Sequence, residues 1–382
     1  MKEVDTQPLS STPTGELLGL PSGGALGRDP FAELAEDDPF AARLEELGLD
    51  AGIAPRRQSP APRPAHPRPA SAKPAPEAGA RADAPPTPRR RRWAATPQLA
   101  EVELPEVRDW LDRVLGENER RRLGALTHLV EGEAPYDRYG FSPEATRLAF
   151  PFFYALYRIY FRVRSEGHEN IPDEGPAILA ANHGGLLPFD GAMGVTDVVL
   201  HTDPPRLART VVDRWAGSLP WVNVFYARVG QVVGTRENFA DLLDDGQLML
   251  VFPEGMEGMR KLVTQRYRLQ PFRVGFVEQA LRARAPIVPV AFIGTDDQSP
   301  ILYDIKPLAR RLGLPVAPLT PTFPWFGPLG LLPYPVRYRI VYGEPFHFYK
   351  RFGPEGADDS RLVRYLANQV RRTIQQLIDR SR

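Results

Sequence analysis

Cysteine is missing from all 382 residues. Its absence removes disulfides, thiolate metal sites and any cysteine-bound acyl intermediate together, and it fits a reducing compartment. The chain also lacks a clean apolar run of about 18 residues or more, the length a membrane-spanning helix needs. The nearest approach, PLTPTFPWFGPLGLLPYP over 318–335, is uncharged but carries six prolines, which excludes a simple transmembrane helix. The acidic first residues have no apolar core and predict no secretory leader. Neither G-x-S-x-G nor H-E-x-x-H occurs, so a serine hydrolase and a zinc protease are poorly supported.

Net charge is small overall, a formal +1, but charge is segregated along the chain. Residues 1–50 hold eleven acids and three bases, whereas residues 51–92 hold ten bases, two acids and eleven prolines and end in Arg89–Arg92. Proline totals 42 of 382 residues, about twice its usual share. Such a stretch buries too little apolar surface to offset ordering entropy, so residues 1–100 are expected to be a disordered acidic, then Pro/Arg-rich tail. Within it, DPFAARLEELG (38–48) has the cap, proline and glycine pattern of a short helix, a possible dock for a protein partner. The arginine cluster suits an anionic leaflet, and without aromatic interleaving or a reading module no nucleic-acid partner is expected.

From residue 101 to 382 the composition is that of one globular domain. SPEATRLAFPFFYALYRIYFRVRSEG (142–167) reads as a helix opened by Ser142, Pro143 and Glu144, its far-end arginines placed to meet lipid phosphates or its whole surface buried. Strand and helix signals then alternate. PAILAA (176–181), RLARTVV (206–212), QVVG (231–234), QLMLVF (247–252) and PIVPVAFIG (286–294) read as strands. SLPWVNVFYAR (218–228), ENFADLLDD (237–245) and QPFRVGFVEQALRAR (270–284) read as helices between them. VRYRIVYG (336–343) supplies a late strand, and a last helix starts at Asp358–Ser360. This order predicts an α/β fold, a mainly parallel sheet with helices on both faces.

Polar groups gather just past the carboxyl ends of these strands, where α/β proteins keep their chemistry. ILAANHGGLLPFDGAM (178–193) places Asn182 and His183 at the end of one strand and Asp190 beyond a Gly/Pro loop. Arg236 follows GQVVGT, and Glu254 and Gly255 close VFPEG. A histidine beside a carboxylate is the minimal device for taking a proton from a hydroxyl, and an arginine holds an anionic part of a substrate. A zinc site built from one His, one Asp and one Glu has weak support without a paired-ligand spacing.

These residues resemble the phospholipid/glycerol acyltransferase superfamily of the lysophosphatidate acyltransferase type. The likeness runs from about 140 to 345 in four ordered blocks: Asn182–His183 to Asp190, Gly230 to Arg236, Phe252–Gly255, and IVPVAF (287–292). The resemblance implies His183 as general base oriented by Asp190, a thioester donor (acyl-CoA or acyl-carrier protein), a glycerolipid acceptor and a membrane surface. It implies neither cofactor nor metal, Arg236 on the acceptor, and a peripheral protein on the cytoplasmic, inner face of the membrane. Asn182, Glu254 and Gly255 join Arg236 as candidate substrate-binding residues. Six residues separate His183 from Asp190 where the family usually has four. Met256–Glu257 stands where the family has Ser/Thr–Arg, with Arg260, Lys261 and Arg266 following, and Arg260 is the candidate replacement. A neutral acceptor such as diacylglycerol is therefore the alternative within this class. A catalytically silent lipid-binding scaffold is the alternative outside it. Segment 318–335, flanked by arginines, suits an interfacial loop.

Overall fold

A computed structural model of the protein describes residues 115–130, 134–212, 221–314 and 316–382. The expected tail, its short helix and its arginine cluster lie outside the described residues.

The described residues form nine strands, β1 Arg164–Glu166, β2 Ala177–Ala181, β3 Ala208–Val212, β4 Val232–Val233, β5 Leu248–Val251, β6 Ile287–Ile293, β7 Tyr303–Asp304, β8 Pro318–Leu319 and β9 Arg339–Tyr342. The α-helices of the described residues are α1 Glu117–Ala125, α2 Pro143–Ala155, α3 Phe189–His201, α4 Val222–Arg228 and α5 Arg236–Asp244, followed by α6 Met256–Met259, α7 Gly275–Arg282, α8 Lys306–Leu312, α9 Tyr349–Phe352 and α10 Ser360–Ser381. Seven strands form one sheet in the order β1-β9-β6-β2-β5-β3-β4, and β7 pairs with β8 separately. β2 lies between β5 and β6 in parallel register, with Leu179 opposite both Leu250 and Val288. Among the described residues, only the β6–β9 pairing of this sheet is antiparallel.

Every residue of β2, β5 and β6 is buried, as expected of parallel strands covered on both faces. Alternation divides them. Leu179, Leu250, Val290 and Phe292 share one face with Val198 of α3, and the alternate residues Ile178, Met249 and Ile287, all fully buried, need a second layer. α7 and α10 supply it against β2 and β6. α10 is capped by Asp359, whose side chain accepts from the amides of Arg361 and Leu362, and it buries Leu366, Val370, Ile374 and Ile378 at four-residue intervals.

Two expected helices come out shorter. The 142–167 segment is helical only to Ala155; it continues as one wide turn, Leu156–Tyr160, and emerges as strand β1. In that turn the Phe161 amide bonds Leu156 O five residues back, a bulge that follows Pro151 inside the helix, where no N–H is available. The 270–284 segment begins its helix at Gly275, because residues 270–273 cross the end of β5: the Gln270 amide bonds Glu254 Oε2 and the Arg273 amide bonds Pro253 O.

Candidate active site

The carboxyl ends of β2, β5 and β6 converge on His183. β2 is apolar because it is buried, and it stops at Asn182, whose amide oxygen and nitrogen bond the backbone N–H and C=O of Phe292 in β6 at 2.6 and 2.9 Å. That exchange ties the two strand ends together and sets where His183 leaves the sheet. α3 then starts directly after Pro188, which puts Asp190 in its first turn, where a carboxylate suits the positive end of the helix dipole.

The six-residue loop keeps the pair together. Asp190 is fully buried, and its Oδ2 lies 2.6 Å from His183 Nδ1. The carboxylate also accepts from the amides of Gly184 at 3.0 Å and Gly191 at 2.8 Å. An ionised carboxylate can only accept, so Nδ1 carries a proton, and in the neutral imidazole the lone pair is then on Nε2. Among the described residues, Nε2 makes no hydrogen bond. The loop needs Gly185, at φ +83, where a side chain would also meet Gln298 Nε2 at 1.8 Å. Gln298 braces the loop by donating to Gly184 O at 2.8 Å, and the Tyr338 hydroxyl donates to Gln298 Oε1 at 2.6 Å. Burial first, and then the Asp190 charge, push the Tyr338 phenol well above its ordinary value, so it stays a donor.

The end of β5 packs on the same histidine. The Phe252 ring stacks on the imidazole with centroids 4.2 Å apart. Glu254 is buried and accepts from the His183 amide at 2.9 Å and the Gln270 amide at 2.7 Å. Burial raises its affinity for a proton, opposed first by Lys261. Lys261, only 3% exposed at its side chain, sits 3.6 Å from Glu254 and 3.1 Å from Asp296, which follows β6. Gly255 takes φ 58, ψ −146, a conformation suited to glycine, and the Arg273 guanidinium lies against it, 3.1 Å from where a Cβ would be.

The candidate residues therefore fall into two groups. His183, Asp190, Asn182, Glu254 and Gly255 form one connected cluster. Arg236, the first residue of α5, is instead bonded to Glu278 of α7 with its side chain 69% exposed. Arg260 bonds Asp304 at 2.8 Å and approaches Glu257 at 3.5 Å, and Arg266 is bonded to Asp297 at 2.7 Å. Lys261 belongs to the inner cluster as a buried counter-ion. Gln298 and Asp296 were not singled out from sequence, although they stand past the carboxyl end of β6 and the same strand-end rule points to them.

Lys261 gives a direct stability test. Lys261→Ala leaves Glu254 and Asp296 buried without their cation, and removing one partner of a buried ion set costs about 3–5 kcal/mol. Urea denaturation should show that loss, and an unchanged midpoint would mean that Lys261 does not hold the cluster.

A model of the family described as Acyltransferase matches residues 162–293, the span from β1 to the end of β6. An uncharacterized protein of Mycobacterium tuberculosis is 40% identical over 261 residues, 67% of this chain and 72% of its own length. One from Mycobacterium leprae is also 40% identical, with 70% of its length covered. The protein called DGAT1/2-independent enzyme synthesizing storage lipids from Gallus gallus is 26% identical over 194 residues, 50% of this chain and 54% of its own length. Among solved structures, the 1-acyl-sn-glycerophosphate (LPA) acyltransferase PlsC from Thermotoga maritima aligns with 72% of this chain and 87% of its own, at 18% identity and a TM-score of 0.39.

Proposed function

The chain belongs to the acyltransferase family, and from that premise we propose that it transfers a fatty acyl group from acyl-CoA or acyl-carrier protein to a glycerolipid hydroxyl, with His183 as general base. The observation that carries this reading is the buried His183–Asp190 pair, 2.6 Å apart, with no hydrogen bond to Nε2 among the described residues. The acceptor O–H gives its proton to Nε2 as its oxygen attacks the thioester carbonyl. Asp190 holds Nδ1–H in place and stabilises the imidazolium that forms. When the C–S bond breaks, the thiolate takes that proton, so the products are the ester and the free thiol. No step requires a covalent acyl-enzyme, in keeping with a chain that has no cysteine. Glu254 and Lys261 act by fixing the His183 backbone rather than by touching substrate.

The acceptor class turns on the arginines. Arg236, Arg260 and Arg266 are each held by a carboxylate, which favours a neutral acceptor; the similar protein of Gallus gallus is named for synthesizing storage lipids. Arg273 supports the opposite reading: it is exposed at the Gly255 turn and has no carboxylate partner among the described residues. The purified protein should be assayed with acyl-CoA against lysophosphatidate, lysophosphatidylcholine, monoacylglycerol and diacylglycerol. Arg273→Ala should lower turnover of the phosphorylated acceptors by about tenfold or more, the scale of one lost charged hydrogen bond, and leave the neutral ones unchanged. If no acceptor is acylated where a control enzyme works, the proposed function fails.

A bilayer surface is the proposed place of reaction. No helix of the described residues is long and apolar enough to cross a membrane. Segment 318–335 nevertheless exposes Trp325 at 75%, Phe326 at 67% and Leu329 at 72%. Phe152 and Ile159 are exposed in and just beyond α2. The two areas meet where the Tyr160 hydroxyl donates to Pro333 O at 2.5 Å and Arg162 to Pro335 O at 2.6 Å. Leu186 of the His183 loop lines one crevice with Leu331 and Leu332, so lipid at this surface would stand beside the reaction centre. Aromatic and leucine side chains suit the depth of an interface. Trp325→Ser combined with Leu329→Ser should reduce co-sedimentation with anionic vesicles and slow turnover of vesicle-borne acceptor. Unchanged binding would place the contact elsewhere.

A further inference from the structure

Asp197 is the other fully buried acid of α3, two turns beyond Asp190 and about 10 Å along the helix at 1.5 Å per residue. It has no part in the acyl-transfer chemistry. Its Oδ1 accepts from the Tyr157 hydroxyl at 2.6 Å and the Ser165 hydroxyl at 2.5 Å, which uses both lone pairs. Its Oδ2 accepts from the Tyr342 hydroxyl at 2.6 Å and keeps one lone pair, facing His168 Nε2 at 3.1 Å. His201, one turn after Asp197, brings Nδ1 to 3.1 Å from the carboxylate and 3.0 Å from the Asp197 carbonyl. The two imidazoles stack with centroids 4.4 Å apart and 18° between planes, so both nitrogens are turned to the same carboxylate.

We propose that His168, Asp197 and His201 form a zinc-binding site that clamps α3 to the turn after β1. Two neutral imidazoles and a carboxylate are a donor set zinc accepts, at bonds of about 2.0–2.2 Å. One ligand atom from each residue lies within 4.8 Å of the others. Tetrahedral coordination at these bond lengths sets two ligands about 3.3 Å apart, so His201, 39% exposed, has a movement of up to about 1.5 Å to make. To bind zinc, each neutral imidazole carries its N–H on the ring nitrogen turned away from Asp197 and presents the lone pair of the facing nitrogen to the ion, and an imidazole that is protonated beforehand releases its extra proton. The three hydroxyls fix the carboxylate from behind, as partners outside the ligand set do in metal sites. His168, at 20%, and His201 face the solvent side, which gives the ion an entry path and leaves room for water as a fourth ligand. Sequence alone hides the site because His168 is 29 residues from Asp197, while the Asp-x-x-x-His spacing of the helix pair is its only local trace.

The test is calorimetric titration of the chelator-treated full chain with zinc chloride, with magnesium chloride as control. The site predicts one zinc per chain at micromolar affinity or tighter, a melting temperature that rises with zinc, no magnesium binding, and retained acyl transfer in the zinc-free protein. His168→Ala and His201→Ala should each weaken zinc by about tenfold or more, the scale for lost support at metal sites. Absence of zinc binding by the wild-type chain, or wild-type affinity retained in both variants, overturns the proposal and leaves a purely hydrogen-bonded clamp. If the variants do not fold, zinc-edge anomalous scattering from wild-type crystals decides, by a peak between the three residues or its absence.

Discussion

His183→Ala should lower the turnover number of acyl transfer by roughly 10²–10⁴-fold, the range supplied by a positioned general base. The loss belongs to kcat, because the imidazole acts on the proton as the C–O bond forms, while lipid and thioester contacts stay in place. Removal of the ring also empties the space against Phe252, so circular dichroism and a melting curve must accompany the assay. His183→Gln serves as a second variant that fills the space without a basic nitrogen. It should be as inactive as alanine while melting closer to wild type. A residual rate within tenfold of wild type in either variant would remove His183 from the mechanism. Lost turnover with vesicle binding intact would also exclude the silent lipid-binding scaffold, whose role needs no base.

How much of this was legible beforehand differs by residue. The succession of strands and helices along the chain, the buried character of β2, β5 and β6, and the placement of His183, Asp190 and Glu254 at or just past strand ends follow from apolar runs that stop at polar Gly/Pro loops. The His183–Asp190 contact across a longer loop did not follow, because it depends on the point where α3 starts. Pro188 sets that start, and Gln298, over a hundred residues away, holds the loop to it. The Glu254–Lys261–Asp296 cluster was hidden for the same reason. Its members come from two loops that meet only when β5 and β6 flank β2, and Lys261 by itself reads as a free surface cation. Arg236 was legible as a position after β4 but not as the partner of Glu278, since that depends on how α5 and α7 approach each other. Periodicity overran both ends of real helices. At 156–163 the apolar pattern persists through a bulge into a strand, and at 270–274 it persists through an extended crossing, where burial rather than helical turn spaces the side chains.

Asp190→Asn should depress kcat by up to about 10⁴-fold with little change in KM, because the carboxylate sets which imidazole nitrogen holds the proton. Asp190 accepts three N–H groups: His183 Nδ1 and the Gly184 amide at Oδ2, and the Gly191 amide at Oδ1. An asparagine has one oxygen and one NH₂ to offer, so it cannot serve both sides. With its NH₂ toward His183 it meets the Gly184 N–H and stabilises the tautomer whose Nε2 carries the proton, which cannot then accept one from a hydroxyl. With its oxygen toward His183 the tautomer survives, but the NH₂ faces the Gly191 N–H, 2.8 Å from the present Oδ1. That leaves a buried donor unsatisfied at a cost of about 1–3 kcal/mol. In this second orientation the imidazolium formed in the reaction still lacks its counter-charge. The variant should therefore be both slower and less stable, and, because an imidazolium without its counter-charge gives up its proton more readily, its rate should level off at a lower pH than the wild type's. A merely structural role would lower stability and leave the shape of the pH–rate profile unchanged. That outcome, with kcat within a few-fold of wild type, would detach Asp190 from catalysis.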